Sequence, residues 1–299
     1  MGDLRVAVLG PGGVGGLLGA LLARAGNAVV MLAGESTARA IAENGLRLES
    51  RRFGDFMVVV ETADRLTSQV DACLITVKAT QLDESLQRVP ADVLAQGLMV
   101  PFLNGIDHVA KLRSLFPSSN VVPATIRVET ARVKPGVIRQ TSPFASVEIA
   151  TSDPVREKVE WLAAQLGAAG LDVRLREDET AMLWDKLAVL APLALLTTHE
   201  RAAVGKIRSD RRQDAIALIS EVAAVATAQG ATADPEAAVR MLDLAPETFE
   251  SSMQRDQAAG LPLELDAIGG AVIRAAARAG IDVPVTARLV EELRLRQPL

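Results

Sequence analysis

The first 25 residues constrain this chain more than any other stretch. Leu4 to Leu9 is a short apolar run containing β-branched residues, followed by Gly10-Pro11-Gly12-Gly13-Val14-Gly15. Leu17, Leu18, Leu21, Leu22 and Ala25 then recur at helical three- and four-residue spacing. The order predicts a strand, a glycine-rich turn and a helix, with Gly10, Gly12 and Gly15 matching G-x-G-x-x-G in register. Each glycine has its own reason: the first for the tight turn, the second for close approach of backbone to a pyrophosphate, the third for packing of helix on strand. The orphan N–H groups and positive dipole end at the helix start then face phosphate. A glycine-rich turn alone is a common structural feature, but with strand and helix flanking it the reading is a dinucleotide site.

At 299 residues the chain exceeds the usual size of one core, so two domains are expected. A hydrophobic share of 49% excludes disorder. The formal charge of −5 is spread over interspersed signs, with no basic arm or patch, so no nucleic-acid partner is expected. No charged leader precedes Leu4, and the best uninterrupted apolar run, Leu187 to Leu196, is short and contains Pro192. The expectation is a soluble, cytoplasmic protein without a membrane partner. The single cysteine, Cys73, excludes an internal disulfide and reads as a buried, inert thiol in a strand. With only His108 and His199, no histidine cluster exists to hold a metal.

Strands are predicted at 28–32, 46–48, 57–60, 70–77, 98–103, 121–128, 137–140, 147–150 and 171–175. Helices are predicted over about 36–43, from Gly105 to about Leu115, and over 155–168. This alternation implies a doubly wound, mostly parallel sheet. From Asp178 onward only helical patterns appear, roughly 180–197, 210–229, 235–242, 263–279 and 286–295. The fold class is therefore α/β: a dinucleotide-binding domain over residues 1–176 and an all-helical domain over 177–299. The expected active site of such a pair is the cleft between the domains.

Lys186 has Met182, Leu183, Val189 and Leu190 three and four positions away, all apolar. A lysine on such a stripe snorkels, pairs or works. Glu264 poses the same puzzle, with Gly260, Leu261, Ala267 and Ile268 as neighbours, and carboxylates are rarely buried without partners. The two charges either pair with each other or bracket a substrate. Ser251-Ser252 reads as a helix cap or as part of a site. Asn104-Gly105 and Lys78 each end a predicted strand at its carboxyl end, where ligands bind in such sheets, although a plain turn and a solvated lysine explain them equally well.

Together these residues resemble the ketopantoate reductase family over essentially the whole chain. The resemblance rests on Gly10–Gly15, Val77-Lys78-Ala79-Thr80-Gln81, Asn104-Gly105, Trp184-Asp185-Lys186-Leu187, Ser251-Ser252-Met253 with Asp256, Glu264 with Asp266, and Gly280-Ile281-Asp282-Val283-Pro284. It implies a Rossmann-type first domain and NADPH-dependent reduction of a small 2-keto acid to a 2-hydroxy acid, by a monomer or homodimer. It further implies that Lys186 is the catalytic lysine and Glu264 its acidic partner, with Ser252 and Asn104 as substrate or nicotinamide contacts. Gly10, Pro11, Gly12, Gly13, Val14, Gly15, Lys78 and Gln81 would hold the cofactor.

The chain departs from the family pattern at two places. Leu190 and Ala194 stand where the family usually carries substrate-holding asparagines. Gly34, followed by Glu35, stands where it favours an arginine for the 2′-phosphate of NADPH. An acid about 20 residues past the last loop glycine is the signature of a ribose 2′-OH, hence NAD. Lys78 and Gln81, which the resemblance associates with the adenosine phosphate, are retained, and Arg39 could reach the site as well, so the expectation is NADP, with NAD as the alternative. The other functional class left open is a non-catalytic dinucleotide-binding protein that kept the fold and lost its substrate site.

Overall fold

The computed structural model describes residues 4–94 and 96–296. The chain divides into two compact units. One contains the residues up to Leu103 together with His108–Glu179, and the other contains Asn104–Asp107 together with the residues from Thr180 onward.

The first unit is built on a five-stranded, all-parallel sheet of β1 (Arg5–Leu9), β2 (Ala28–Leu32), β5 (Glu61–Ala63), β6 (Ala72–Ile75) and β7 (Leu98–Pro101), in the order β5-β2-β1-β6-β7. Its residues alternate between two cores. Val6, Val8, Val29, Met31, Leu74 and Val100 face α1 (Gly13–Arg24) and α5 (Arg156–Ala168). Ala7, Leu9, Val30, Leu32, Cys73 and Ile75 face α3 (Leu82–Leu86) and α4 (Asp107–Leu115). Burial on both faces is why these strands read as continuous apolar runs. It also pushes the Cys73 thiol up to about 12, which keeps it protonated and inert.

The later strands do not extend this sheet as ordinary neighbours. After α2 (Glu35–Asn44), β3 (Leu46–Ser50) and β4 (Phe56–Val58) join β9 (Thr130–Lys134) and β10 (Val137–Gln140) in a second sheet, ordered β4-β3-β10-β9. Leu46, Leu48 and Ile138 of that sheet share the core of α1. β8 (Ala124–Arg127), β11 (Ser146–Ala150) and β12 (Asp172–Arg176) form a third sheet, linked to β7 by one bridge between Met99 and Val121. The doubly wound parallel sheet expected from the alternation is the five-stranded one, and the later strands, expected to continue it, form two further sheets. The physical reason lies in the connections, since β8 to β11 are joined by segments too short for helical crossovers and pair antiparallel where they can.

The third sheet is clamped by charge. Glu148 on β11 accepts hydrogen bonds from Arg127 Nη1 on β8 and Arg176 Nη1 on β12, both at 2.8 Å. Burial alone would push this carboxyl up, but the two guanidinium groups outweigh it and hold the group below the usual carboxylate range. A depressed folded-state pKa contributes stability at neutral pH that is lost as the pH falls through the folded value. Glu148→Gln should therefore cost about 1.5–3 kcal/mol at pH 7. Denaturant melts should show the gap from the wild type closing below about pH 4, the onset of carboxylate protonation in the unfolded chain; a gap constant with pH would remove this account.

The second unit is helical, with no strand among its described residues. Its helices are α6 (Glu179–Glu200), α7 (Val204–Asp210), α8 (Arg212–Ala228), α9 (Pro235–Leu244), α10 (Ser252–Ala258), α11 (Ala271–Ala279) and α12 (Pro284–Leu295). The helix expected over 210–229 starts at Arg212, because Arg211, at φ −128°, leaves the helical region. The one expected over 263–279 starts later, with a π-helical turn at Asp266–Gly270 leading into α11. α6 runs beyond the apolar stretch that marked it. By length and composition it could cross a membrane, but 67% of that window is buried within the protein, as in a core helix. Its residues Trp184, Leu187, Ala191, Ala194 and Leu195 pack against α8, the π turn and α12.

Candidate active site

The glycine loop is shaped by three different constraints. Gly10 sits at φ +94°, and a Cβ there would lie 2.5 Å from Val77 Cγ1. A Cβ on Gly15 would lie 2.2 Å from the Gly10 carbonyl oxygen and from Thr76 Oγ1. Thr76 Oγ1 itself lies within hydrogen-bond distance of the Leu9 and Gly10 carbonyls, which ties the ends of β1 and β6 together. At Gly12, by contrast, an added Cβ would meet nothing within 4 Å. Gly12 is the N-cap of α1, which has no side-chain cap and no acidic residue in its first turn. The open space at Gly12 and the uncapped helix start fit a bound pyrophosphate.

Beside the loop lies a cavity of about 170 Å³, whose wall includes Gly10, Pro11, Gly34, Thr37, Gln81 and Arg132. It is smaller than a whole dinucleotide requires, and it marks the end of the crevice next to β2. Gln81 is thus brought to the loop. Lys78 is half-buried at the end of β6 but is not on this wall. A second cavity, about 230 Å³, lies among Leu4, Ala72, Leu98 and Trp161 at the amino ends of the strands. Ligands of open parallel sheets bind at the carboxyl ends, so the smaller cavity is the candidate of the two for the cofactor.

In the helical unit, Glu264 is buried to 6% exposure, and Asn104 Nδ2 donates to its Oε2 at 3.0 Å. The residues around Asn104 explain how that amide is held. Gly105, at φ +82°, leaves no room for a side chain, since a Cβ would lie 2.1 Å from the Ala267 carbonyl oxygen. Asp107 accepts from Arg274 Nε and Nη2 at 3.0 and 2.7 Å, while Arg274 Nη1 donates to Asp266 at 2.8 Å. Asn104–Asp107 is therefore fastened against the π turn that follows Glu264. Such turns occur frequently at functional sites.

Lys186 is half-buried on α6, with Met182 and Leu183 buried beside it. Val189, Leu190 and Leu193 continue from it as a half-buried apolar strip. Ala194, expected at the substrate, is fully buried in the helical core at 0% exposure, so the strip passes through Leu193 instead. The helical register decides this, because Ala194 faces the same side as Leu187 and Ala191. Ser251 is the buried N-cap of α10, accepting from the Gln254 N–H at 3.1 Å, and Ser252 is exposed. The Ser251 and Thr197 hydroxyls lie 2.8 Å apart, linking α10 to α6.

Two family models match nearly end to end: ketopantoate reductase PanE/ApbA over residues 6–153, and its C-terminal domain over 178–297. The chain is 31% identical over 297 residues to 2-dehydropantoate 2-reductase of Mycobacterium tuberculosis, covering 95% of each protein. Among solved structures, a PanE/ApbA family ketopantoate reductase from Ralstonia eutropha superposes with a TM-score of 0.88 at 28% identity, covering 98% of each chain. D-mandelate dehydrogenase, in its ternary structure with NADH and anilino(oxo)acetate, superposes with a TM-score of 0.91 over 98% of each chain; at 21% identity this shows a shared fold. With both halves matched in order, the chain belongs to the ketopantoate reductase PanE/ApbA family of oxidoreductases.

Proposed function

We propose that this protein reduces a 2-keto acid to the corresponding 2-hydroxy acid with NADPH as the preferred hydride source. The observation that carries the reading is the buried Glu264 carboxylate, held by the Asn104 amide at 3.0 Å on the unit that also bears Lys186. Positioning a buried carboxylate in this way is worthwhile where it must orient a cation or a substrate hydroxyl.

When bound, the nicotinamide supplies a hydride to the keto carbon. The Lys186 ammonium complements that transfer at the oxygen. It hydrogen-bonds the carbonyl oxygen, stabilises the negative charge that develops there, and passes a proton to it. A fixed positive donor needs no reorganisation as that charge appears. Glu264 orients the ammonium or accepts from a substrate hydroxyl, and the exposed Ser252 hydroxyl at the start of α10 contacts the carboxylate end. Gly10–Gly15 hold the pyrophosphate, with Gln81 and Lys78 toward the adenosine.

The apolar strip after Lys186 bears on the substrate. Leu190 offers neither donor nor acceptor, so a polar substrate group facing it stays unpaired at a cost of about 1–3 kcal/mol, whereas a branched hydrocarbon tail gains from the contact. The expected order of kcat/KM is 2-ketoisovalerate above ketopantoate, and Leu190→Asn should move the ratio toward ketopantoate. Following NADPH and NADH oxidation across a panel of 2-keto acids tests the whole reading, and no turnover with any of them would overturn it. A wild-type preference for ketopantoate of about tenfold, roughly 1.4 kcal/mol, would overturn the substrate order alone.

A further inference from the structure

Resting on the dinucleotide reading above, we propose that Arg132, a residue of the second sheet rather than of the parallel sheet, recognises the 2′-phosphate of NADPH and sets the cofactor preference. Three observations place it there. First, β9 packs its backbone directly on the start of α1: a Cβ on Gly13 would lie 2.9 Å from the Thr130 carbonyl oxygen and 3.1 Å from Ala131 Cα, and Thr130 Oγ1 lies 3.3 Å from the Gly13 oxygen. Second, β9 carries a bulge. Arg132 pairs with Ile138 while Lys134 pairs with Val137, so Val133 is the extra residue. Bulges re-aim the side chains beside them. Third, Arg132 lines the cavity shared by Gly10 and Pro11 of the loop and by Gly34 and Thr37 beyond β2.

The other charges near the end of β2 are already committed. Arg39 pairs with Glu35 at 2.5 Å. Arg88 Nη1 is held by Asp64 and by the Ala33 carbonyl. Glu35, the acid that would accept a ribose 2′-OH, has a side chain 86% exposed and is not on the cavity wall. The wall carries one carboxylate, Glu84, which opposes a dianion. Arg132 is the wall cation with no ion pair or side-chain hydrogen bond among the described residues. A guanidinium matches a phosphate by a fork of two parallel N–H donors, which a 2′-hydroxyl cannot satisfy.

The test is the calorimetric affinity of the wild type, Arg132→Ala and Arg132→Lys for NADPH and for NADH. The wild type should bind NADPH more tightly. Arg132→Ala should weaken NADPH about 30-fold, roughly 2 kcal/mol, and leave NADH within about twofold, while Arg132→Lys retains part of the preference because charge survives without the fork. Arg132 is exposed, so the thermal midpoint should not move. Equal losses for both dinucleotides or no loss for either would overturn the assignment to Arg132 and leave the reductase reading standing, whereas a wild type that prefers NADH would overturn the assignment together with the proposed NADPH preference and leave only the reduction of a 2-keto acid. Binding of neither dinucleotide by the wild type would overturn both.

Discussion

Replacing Lys186 by alanine is expected to lower kcat by about 100-fold or more while leaving dinucleotide affinity unchanged. A preorganised donor aimed at a developing oxyanion is worth about 3–4 kcal/mol, which sets that scale. The affinity should survive because Lys186 lies on α6 of the helical unit, whereas the glycine loop belongs to the other unit. Alanine also removes a half-buried stem, so Lys186→Met is the sharper probe: it keeps apolar bulk and removes only the charge. Both variants should lose turnover alike. Were the methionine variant to keep most of its kcat, Lys186 would be a snorkelling surface lysine and Glu264 a structural carboxylate.

What the sequence reveals of this protein follows from where its constraints are local. β1, β2, β6 and β7 are legible because burial on both faces forces unbroken apolar runs. Of the helices of the second unit, α6, α8, α9, α11 and α12 are legible by their period while the short α7 and α10 are not, and the Ser251 cap is legible by its residue type. β9 is not legible. Its residues are polar or exposed from Ala131 to Lys134, and it exists because its backbone pairs with β10 and packs on Gly13. The three-sheet arrangement is hidden for the same reason, since register and pairing are tertiary choices. Of the candidate site residues, Lys186 and Glu264 stand out as charges on apolar faces. That Asn104, 160 residues away in sequence, holds the Glu264 carboxylate is fixed by the π turn and by the Gly105 approach, neither of which leaves a pattern in composition. The placement of Ala194 in the core rather than on the strip is a matter of helical phase, about 100° per residue, which a count of turns from Lys186 does not resolve.

The glycine loop supplies the largest expected effect on binding. Gly12→Val should abolish dinucleotide binding and leave the fold intact, and the contrast within one loop is what makes the outcome informative. Gly12 has φ −79° and ψ −160°, an extended conformation that a β-branched residue adopts readily, and its Cβ would meet nothing within 4 Å. The valine methyls would instead occupy the space where pyrophosphate oxygens approach the start of α1. Gly15→Ala is the opposite case: its Cβ would sit 2.2 Å from a backbone oxygen, so α1 must move off the sheet and the fold itself should suffer. Thermal denaturation separates the two. Without ligand, Gly12→Val should melt with the wild type and Gly15→Ala well below it. With NADPH at about 100 times its wild-type Kd, the wild type should gain about 2.7 kcal/mol and Gly12→Val nothing. A ligand-induced shift of wild-type size in Gly12→Val would mean that the dinucleotide does not approach through Gly12, and the assignment of the loop would fall with it.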